Sequence, residues 1–427
     1  MQIINNPNRV IWDTLIERPV KKASDLGKLV ASVFDKIKQE GDKALKAYTL
    51  EFDKVSLNDF KVSQKEIDEA EDLVASNLKE AIQLAKSNVE LFHDSQFSEK
   101  QVITTTEGVS CWQEMRPIEK VGLYIPGGTA PLFSTILMLG IPAKLAGCSE
   151  IVLCSPPNKE GKIHPAILYT AQLVGVTTIY KLGGVQAVAA MTYGTETVPN
   201  VYKIFGPGNQ FVTAAKQYAL TQGVAIDMPA GPSELMVVAD RNANPAYVAS
   251  DLLSQAEHGH DSQVICVAET IESLKEIQNE VKTQLTVLPR KEMAQSAIDN
   301  SQFIVLESVK DQIDFINSYA PEHLILNVKN ENLFLDKIVN SGSVFIGPYT
   351  PESAGDYASG TNHTLPTNGY ARMYSGVNMD AFTKKITFQR ISKEGIQKIG
   401  NAIELMAEAE GLQAHKNAVT LRLKDLR

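Results

Sequence analysis

The chain has 427 residues, of which 44% are hydrophobic and 21% charged, with a formal net charge of -9. A length of this kind predicts several domains of about 100–200 residues each and enough core to fold without staples. The acidic balance without a long basic stretch argues against nucleic-acid binding, and no run reaches the roughly 18 apolar residues a membrane span needs.

The opening MQIINNPNRV is polar and predicts no signal peptide. Residues 24–95 repeat Lys, Glu, Ala and Leu with helical spacing, which predicts two or more amphipathic helices. From about residue 120, short apolar runs alternate with helical patterns: VGLYI, EIVLCSP, TIYKLGG and VYKIFGPG each precede one. A second alternating set begins at ELMVVAD and continues through SQVICVA, QFIVL, HLILNV and GSVFIG. Such alternation, with Gly and Pro in the connections, predicts βαβ units and parallel sheets. The two sets meet near MPAGPS, at 228–233. Residues 347–380 read as irregular, and a loop that long inside a compact protein is usually functional. Helical patterns return over 393–424. Cys111, Cys148, Cys154 and Cys266 show no CxxC spacing and fit reduced thiols of a cytosolic protein.

Five of the seven histidines follow residue 250: His258, His260, His323, His363 and His415. Gln255 and His258 are three apart near a predicted helix end, so they share a face and offer an amide oxygen and an imidazole nitrogen. Alone, the pair reads as a polar helix terminus, with His258 complementing the dipole. His260 reads as a loop residue. In APEHLI, Glu322 and His323 sit where an apolar strand begins; a strand-entry turn explains them equally well as a proton-transferring pair. PESAGDYASGTNHTLPT (351–367) gathers Glu352, Asp356, Asn362 and His363 in a turn-rich stretch. Glu410 and His415 fit a charged surface helix. The turns YIPGG, KLGG, FGPGN and PAGPS can bring backbone amides to phosphates or carboxylates, although none completes GxGxxG.

Together these segments resemble the histidinol dehydrogenase family. The resemblance rests on IDMPAGPSELMVVADRNANPAYVASDLLSQAEH (226–258), YIPGG, GPGNQFVT, APEHL, SAGDYASGTNHTLPT and EGLQAHKNAVTLR, and covers essentially the whole chain. It implies an α/β fold of two incomplete Rossmann-like parallel-sheet domains, with helical terminal segments exchanged in a homodimer. The implied division is an arm at 1–23, a discontinuous first domain at 24–123 and 234–376, a second at 124–233, and a helical segment at 377–427. The implied reaction is the NAD-dependent, zinc-requiring oxidation of L-histidinol to L-histidine through L-histidinaldehyde, in the cytoplasm.

By motif, the resemblance assigns zinc, one per subunit, to Gln255, His258, Asp356 and His415, and acid–base roles to Glu322 and His323. Substrate contacts fall on Ser233, Gln255, His258, His323, Asp356, His363, Glu410 and His415, and NAD contacts on Tyr124, Gln186 and Asn209. A ligand set of nitrogens and oxygens suits zinc, and manganese or cobalt would also fit it. Two other classes use some of the same residues. A zinc hydrolase would explain the His/Asp set but leaves the cofactor-like turns idle, and a two-lobed metabolite-binding protein would explain the cleft but not Glu322 with His323.

Overall fold

The computed structural model describes residues 2–18, 26–127, 131–229 and 231–426. The join between the arm and the first long helix, Gly128 of YIPGG and Ala230 of MPAGPS lie outside the described residues. The chain forms two compact units. One comprises Met1–Ser95 and Glu119–Phe382; the other comprises Gln96–Ile118 and Thr383–Arg427.

In chain order the strands are β1 (Ile3–Asn5), β2 (Val102–Thr106), β3 (Val109–Pro117), β4 (Lys120–Tyr124), β5 (Glu150–Ser155), β6 (Thr178–Lys181) and β7 (Lys203–Phe205). They continue with β8 (Ala225–Ile226), β9 (Glu234–Ala239), β10 (Gln263–Ala268), β11 (Gln302–Val305), β12 (His323–Asn327), β13 (Ser343–Ile346) and β14 (Thr383–Ile391). The first unit holds two parallel sheets. One is ordered β6-β5-β4-β7-β8, the other β1-β11-β10-β9-β12-β13. Each starts at a central strand, winds outward, then returns past its origin to the other side. That reversal places helices on both faces, the doubly wound arrangement of a Rossmann half.

The sequence dictates these sheets because the interiors of their central strands are apolar: LMVVA in β9, VICVA in β10 and LIL in β12. Every residue of β9, β10 and β12 is buried, as a parallel strand covered on two faces requires. Alternate side chains of β9 go to opposite cores. Leu235, Val237 and Ala239 pack with Leu252, Ile277 and Ala297, whereas Met236 and Val238 pack with Trp12, Phe315 and Tyr319. Each fully buried Leu, Ile or Val contributes roughly 1.5–3 kcal/mol, so this double-sided packing outweighs any local preference of the loops.

Three features differ from the sequence reading. The helices Leu26–Glu40 and Asp42–Tyr48, expected alongside residues 234–376, bury Val30, Phe34, Ile37 and Leu45 in the core of the five-stranded half, with Val152, Val185 and Val188. Their apolar stripe was legible, but its partner was not. The arm contributes β1, which pairs Ile3–Asn5 with Phe303–Val305 at a sheet edge. The second unit is not helical throughout: β14 pairs antiparallel with β3, and β3 with β2, ahead of the helices Lys393–Ala409 and Gln413–Lys424. Residues of β14 are mostly exposed, so they lack the apolar run that marks a buried strand. Among the described residues, no helix is long and apolar enough to cross a membrane.

Candidate active site

The site is built at the amino ends of the six-stranded sheet. The helix Pro245–Ala256 starts on Asn244, whose side chain accepts from the Ala246 amide, and on a proline at its first position. Its inner face buries Val248, Ala249, Leu252 and Leu253. The carboxyl end therefore lands beside the start of β10 and presents Gln255, with His258 just beyond. Gln255 is fully buried, yet neither polar atom of its carboxamide has a hydrogen-bond partner among the described residues. An unpaired buried amide costs about 1–3 kcal/mol, a cost that a ligand would offset.

Opposite it, residues 352–357 form one short helix inside the stretch read as irregular. The four-residue spacing puts Glu352 and Asp356 on one side of that helix. Ligand atoms of His258, Glu352 and Asp356 all lie within 4.8 Å of one another. Two carboxylates and an imidazole beside the negative end of a helix dipole could hold a cation, and the Gln255 oxygen would add to a donor set of nitrogen and oxygen of the kind zinc takes.

Glu322 and His323 enter β12 next to this cluster, and both are buried. Strand β9 holds them from the neighbouring position. The Glu234 amide donates to Glu322 Oε2 at 2.9 Å, and the Glu234 carbonyl lies 3.3 Å from His323 Nδ1. His323 Nδ1 is also 3.6 Å from Glu322 Oε2 and 3.7 Å from Glu352 Oε1. His323 Nε2 lies 4.0 Å from Asp356 Oδ1 and has no hydrogen-bond partner among the described residues. Burial pulls the His323 ring down to about 4, with Asp356 opposing the shift, so the ring is neutral near pH 7 and able to take a proton. Burial drives Glu322 the other way, well above the usual carboxylate range, and the Glu234 amide only partly offsets it. Burial thus raises the proton affinity of Glu322 and lowers that of its neighbour His323.

The remaining predicted residues fall into three places. His363 closes the same pocket: its Nδ1 is 2.9 Å from the Asp356 carbonyl and its Nε2 is 3.1 Å from Thr135 Oγ1. Ser233 immediately precedes Glu234 and its carbonyl accepts from Gln263. Tyr124, Gln186 and Asn209 belong to the five-stranded half, at the carboxyl ends of β4, β6 and β7, on either side of the point where strand order reverses. The Tyr124 hydroxyl accepts from the Gly184 amide at 3.1 Å. Asn209 caps the helix Gln210–Thr221 through the amides of Phe211 and Val212. A Cβ on Gly206 would fall 2.1 Å from the Tyr124 carbonyl oxygen, and one on Gly208 2.4 Å from Val212. Both glycines of the Gly-Pro-Gly-Asn turn are therefore required by close packing against the chain's own atoms, and the turn leads into a helix amino terminus, a setting that suits the diphosphate of a dinucleotide. Glu410 and His415 lie in the second unit and are exposed there.

Sequence reasoning gave Glu352 no role. Its four-residue spacing from Asp356 was the available signal, hidden because the segment looked like loop. Glu234 was equally silent, since it acts through its backbone.

The histidinol dehydrogenase family profile matches residues 16–423. The chain belongs to the histidinol dehydrogenase family. It is 56% identical to histidinol dehydrogenase of Bacteroides thetaiotaomicron over 427 residues, with both chains covered completely. It is 50% identical to that of Campylobacter jejuni, again over the full length of both. A crystal structure of histidinol dehydrogenase from Elizabethkingia anophelis superposes with a TM-score of 0.98 at 60% identity, covering 100% of this chain and 98% of that one. An acetylating aldehyde dehydrogenase from Geobacillus thermoglucosidasius, 12% identical with a TM-score of 0.50, shares the fold alone. Histidinol dehydrogenases are oxidoreductases, which sets aside the hydrolase and the non-catalytic binding protein.

Proposed function

We propose that this chain oxidises L-histidinol to L-histidine through bound L-histidinaldehyde, the last steps of histidine biosynthesis, as a cytoplasmic homodimer using NAD and one zinc ion per subunit. The observation that carries the reading is His323, a buried neutral imidazole with its Nε2 unpartnered, next to the His258–Glu352–Asp356 cluster. Gln255, His258 and Asp356 would hold the metal together with His415 from a second copy of the chain, and its exposed position on its own unit supports that assignment. When bound, zinc supplies an electrophilic anchor for nitrogen donors of the substrate, and NAD supplies the hydride acceptor. Tyr124, Gln186 and Asn209 would contact the cofactor, and Ser233, His363 and Glu410 the substrate.

His323 Nε2 takes the alcohol proton as hydride leaves the carbinol carbon. Glu322 then removes a proton from the water that adds to the aldehyde, while protonated His323 returns its proton to the aldehyde oxygen and becomes neutral again. His323 takes the hydroxyl proton of the resulting hydrate as the second hydride leaves. Each assisted proton transfer is worth roughly 100–10,000-fold. The Glu234 backbone keeps both groups aimed, and burial of the pair keeps bulk water from competing. Purified protein given L-histidinol and excess NAD should form two NADH per histidinol consumed. One NADH per substrate with free aldehyde accumulating would overturn the single-site, two-step reading.

A further inference from the structure

Asp53 has no assigned role, yet it stands among the residues named for the cofactor. It ends a π-helical turn, Thr49–Asp53, that follows the helix Asp42–Tyr48. Single π-helical turns are costly and often mark functional positions. The turn brings the carboxylate to the first turn of the helix Gly184–Tyr193, where Gln186 Nε2 donates to Asp53 Oδ2 at 3.2 Å. Asp53 Oδ1 takes no hydrogen bond and Asp53 makes no ion pair with any described residue. A partly buried carboxylate without a cation is expensive to keep, and burial lifts this one to about 6, with Gln186 pulling the other way.

The surroundings describe a narrow floor. A Cβ on Gly183 would lie 3.0 Å from Asp53 Oδ1 and 2.6 Å from Pro156, and one on Gly127 would lie 2.5 Å from Pro156. The turns after β4, β5 and β6 are therefore pressed together beneath Asp53. In Rossmann halves, an acid at the end of the second strand binds the ribose hydroxyls of the adenosine. Here that strand, β5, ends in Ser155, Pro156 and Pro157, with no acid.

Right-handed crossovers also decide which end of a dinucleotide reaches Asp53. The path β4 to β5 to β6 puts the helices Phe133–Ala146 and Pro165–Leu173 on one face, and the return to β7 puts Gly184–Tyr193 on the other. Thr135, on the first face, touches His363 of the candidate active site. Asp53 sits against the opposite face, away from the chemistry.

We propose that Asp53 is a specificity-determining residue that binds the adenosine ribose hydroxyls of NAD and turns away a cofactor carrying a phosphate there. This rests on the NAD reading above and adds the residue that makes the choice. A carboxylate accepts from both hydroxyls, whereas a phosphate at that position would bring two negative groups together.

The test is calorimetric titration of the protein with NAD and with NADP, without histidinol, so that binding is read apart from turnover. Wild type should bind NADP at least about tenfold more weakly than NAD. Asp53→Asn keeps the shape and an acceptor for Gln186; it should weaken NAD about tenfold and bring the two affinities within about threefold of each other. If wild type binds NAD but the variant keeps the wild-type NAD-to-NADP ratio, Asp53 does not make the choice. If wild type binds neither dinucleotide, the NAD reading falls and this inference falls with it. Should Asp53→Asn fail to fold by circular dichroism, wild type is titrated with NAD lacking the adenosine 2′-hydroxyl. About tenfold weaker binding supports the assignment, and equal binding overturns it.

Discussion

Replacing Lys216 by Met tests what holds the Gly-Pro-Gly-Asn turn in place. Lys216 Nζ lies 2.5 Å from Asp227 Oδ1, and the two side chains are only 4% and 1% exposed. The same ammonium donates to the Gly206 carbonyl at 2.8 Å, while Asp227 Oδ2 accepts from the Gly206 amide at 2.9 Å. One buried ion pair therefore grips both polar groups of a single peptide-forming glycine. Methionine keeps the volume of the lysine stem and removes the charge, leaving the Asp227 carboxylate buried and uncompensated. Breaking a buried pair this way costs roughly 3–5 kcal/mol, far above the roughly 0–1 kcal/mol of a surface pair. Urea unfolding at neutral pH should place Lys216→Met about 4 kcal/mol below wild type. The double variant Lys216→Met with Asp227→Asn removes the stranded charge and should recover at least half of that loss, because the two sites are coupled. NAD affinity should fall in the single variant, since the turn loses the contact that fixes its carbonyl. A single variant within about 1 kcal/mol of wild type, or a double variant no more stable than the single one, would show that the ion pair does not hold the turn.

The acid–base pair should separate kinetically: Glu322→Gln should slow oxidation of added histidinaldehyde more than the first NADH formed from histidinol, and His323→Asn should slow both by roughly 100–10,000-fold. Equal losses on both substrates for Glu322→Gln would refute the division of labour. His415→Ala and His323→Ala, each inactive alone, should regain activity at about a quarter of sites when unfolded and refolded together, because mixed dimers collect both lesions in one site. Mixed dimers, verified by mass spectrometry, that stay inactive would show that His415 serves its own subunit. Burial alone lifts Asp251 from 3.8 to about 7, so the folded chain holds this proton more tightly than the unfolded one. Its contribution is lost as pH rises from about 4 to about 7, by about 4 kcal/mol. Metal-free Asp251→Asn should therefore be more stable than wild type above neutral pH and nearly equal near pH 4; the same urea midpoint shift at both would refute this.

What was legible in the sequence was local. Gln255 and His258 could be placed on one helix end by spacing, and Glu322 with His323 by adjacency to an apolar strand. The strands themselves were legible because β4, β5, β9, β10 and β12 are apolar runs bounded by Gly, Pro or Asn. What remained hidden depends on partners distant in sequence. Nothing in TLEFDKV announces that Asp53 meets Gln186, 133 positions later. Arg18 gives no hint that its guanidinium pairs with buried Glu234 and also donates to the Tyr319 carbonyl, beneath the strand that aims Glu322 and His323. Glu352 looked like a loop residue because Gly, Ser and Thr surround it, but the segment forms a short helix that buries Glu352 and Gly355 on one side.

The two halves share a strand order and use opposite ends of it, for an electrostatic reason. At the carboxyl ends of the five-stranded sheet, helices begin: Gly184–Tyr193 and Gln210–Thr221 point their free amides toward bare glycine turns, which favours anionic diphosphate. At the amino ends of the six-stranded sheet, helices finish: Pro245–Ala256 brings the negative end of its dipole to Gln255 and His258, beside the carboxylates of Glu352 and Asp356, which favours a cation. Under the proposed function hydride transfer requires the two to meet, and the halves touch at the 3.1 Å contact between Thr135 of the first and His363 of the second. Under the proposed function the reacting carbon would lie close to that contact, between a cofactor at one sheet's carboxyl ends and a substrate held at the other's amino ends.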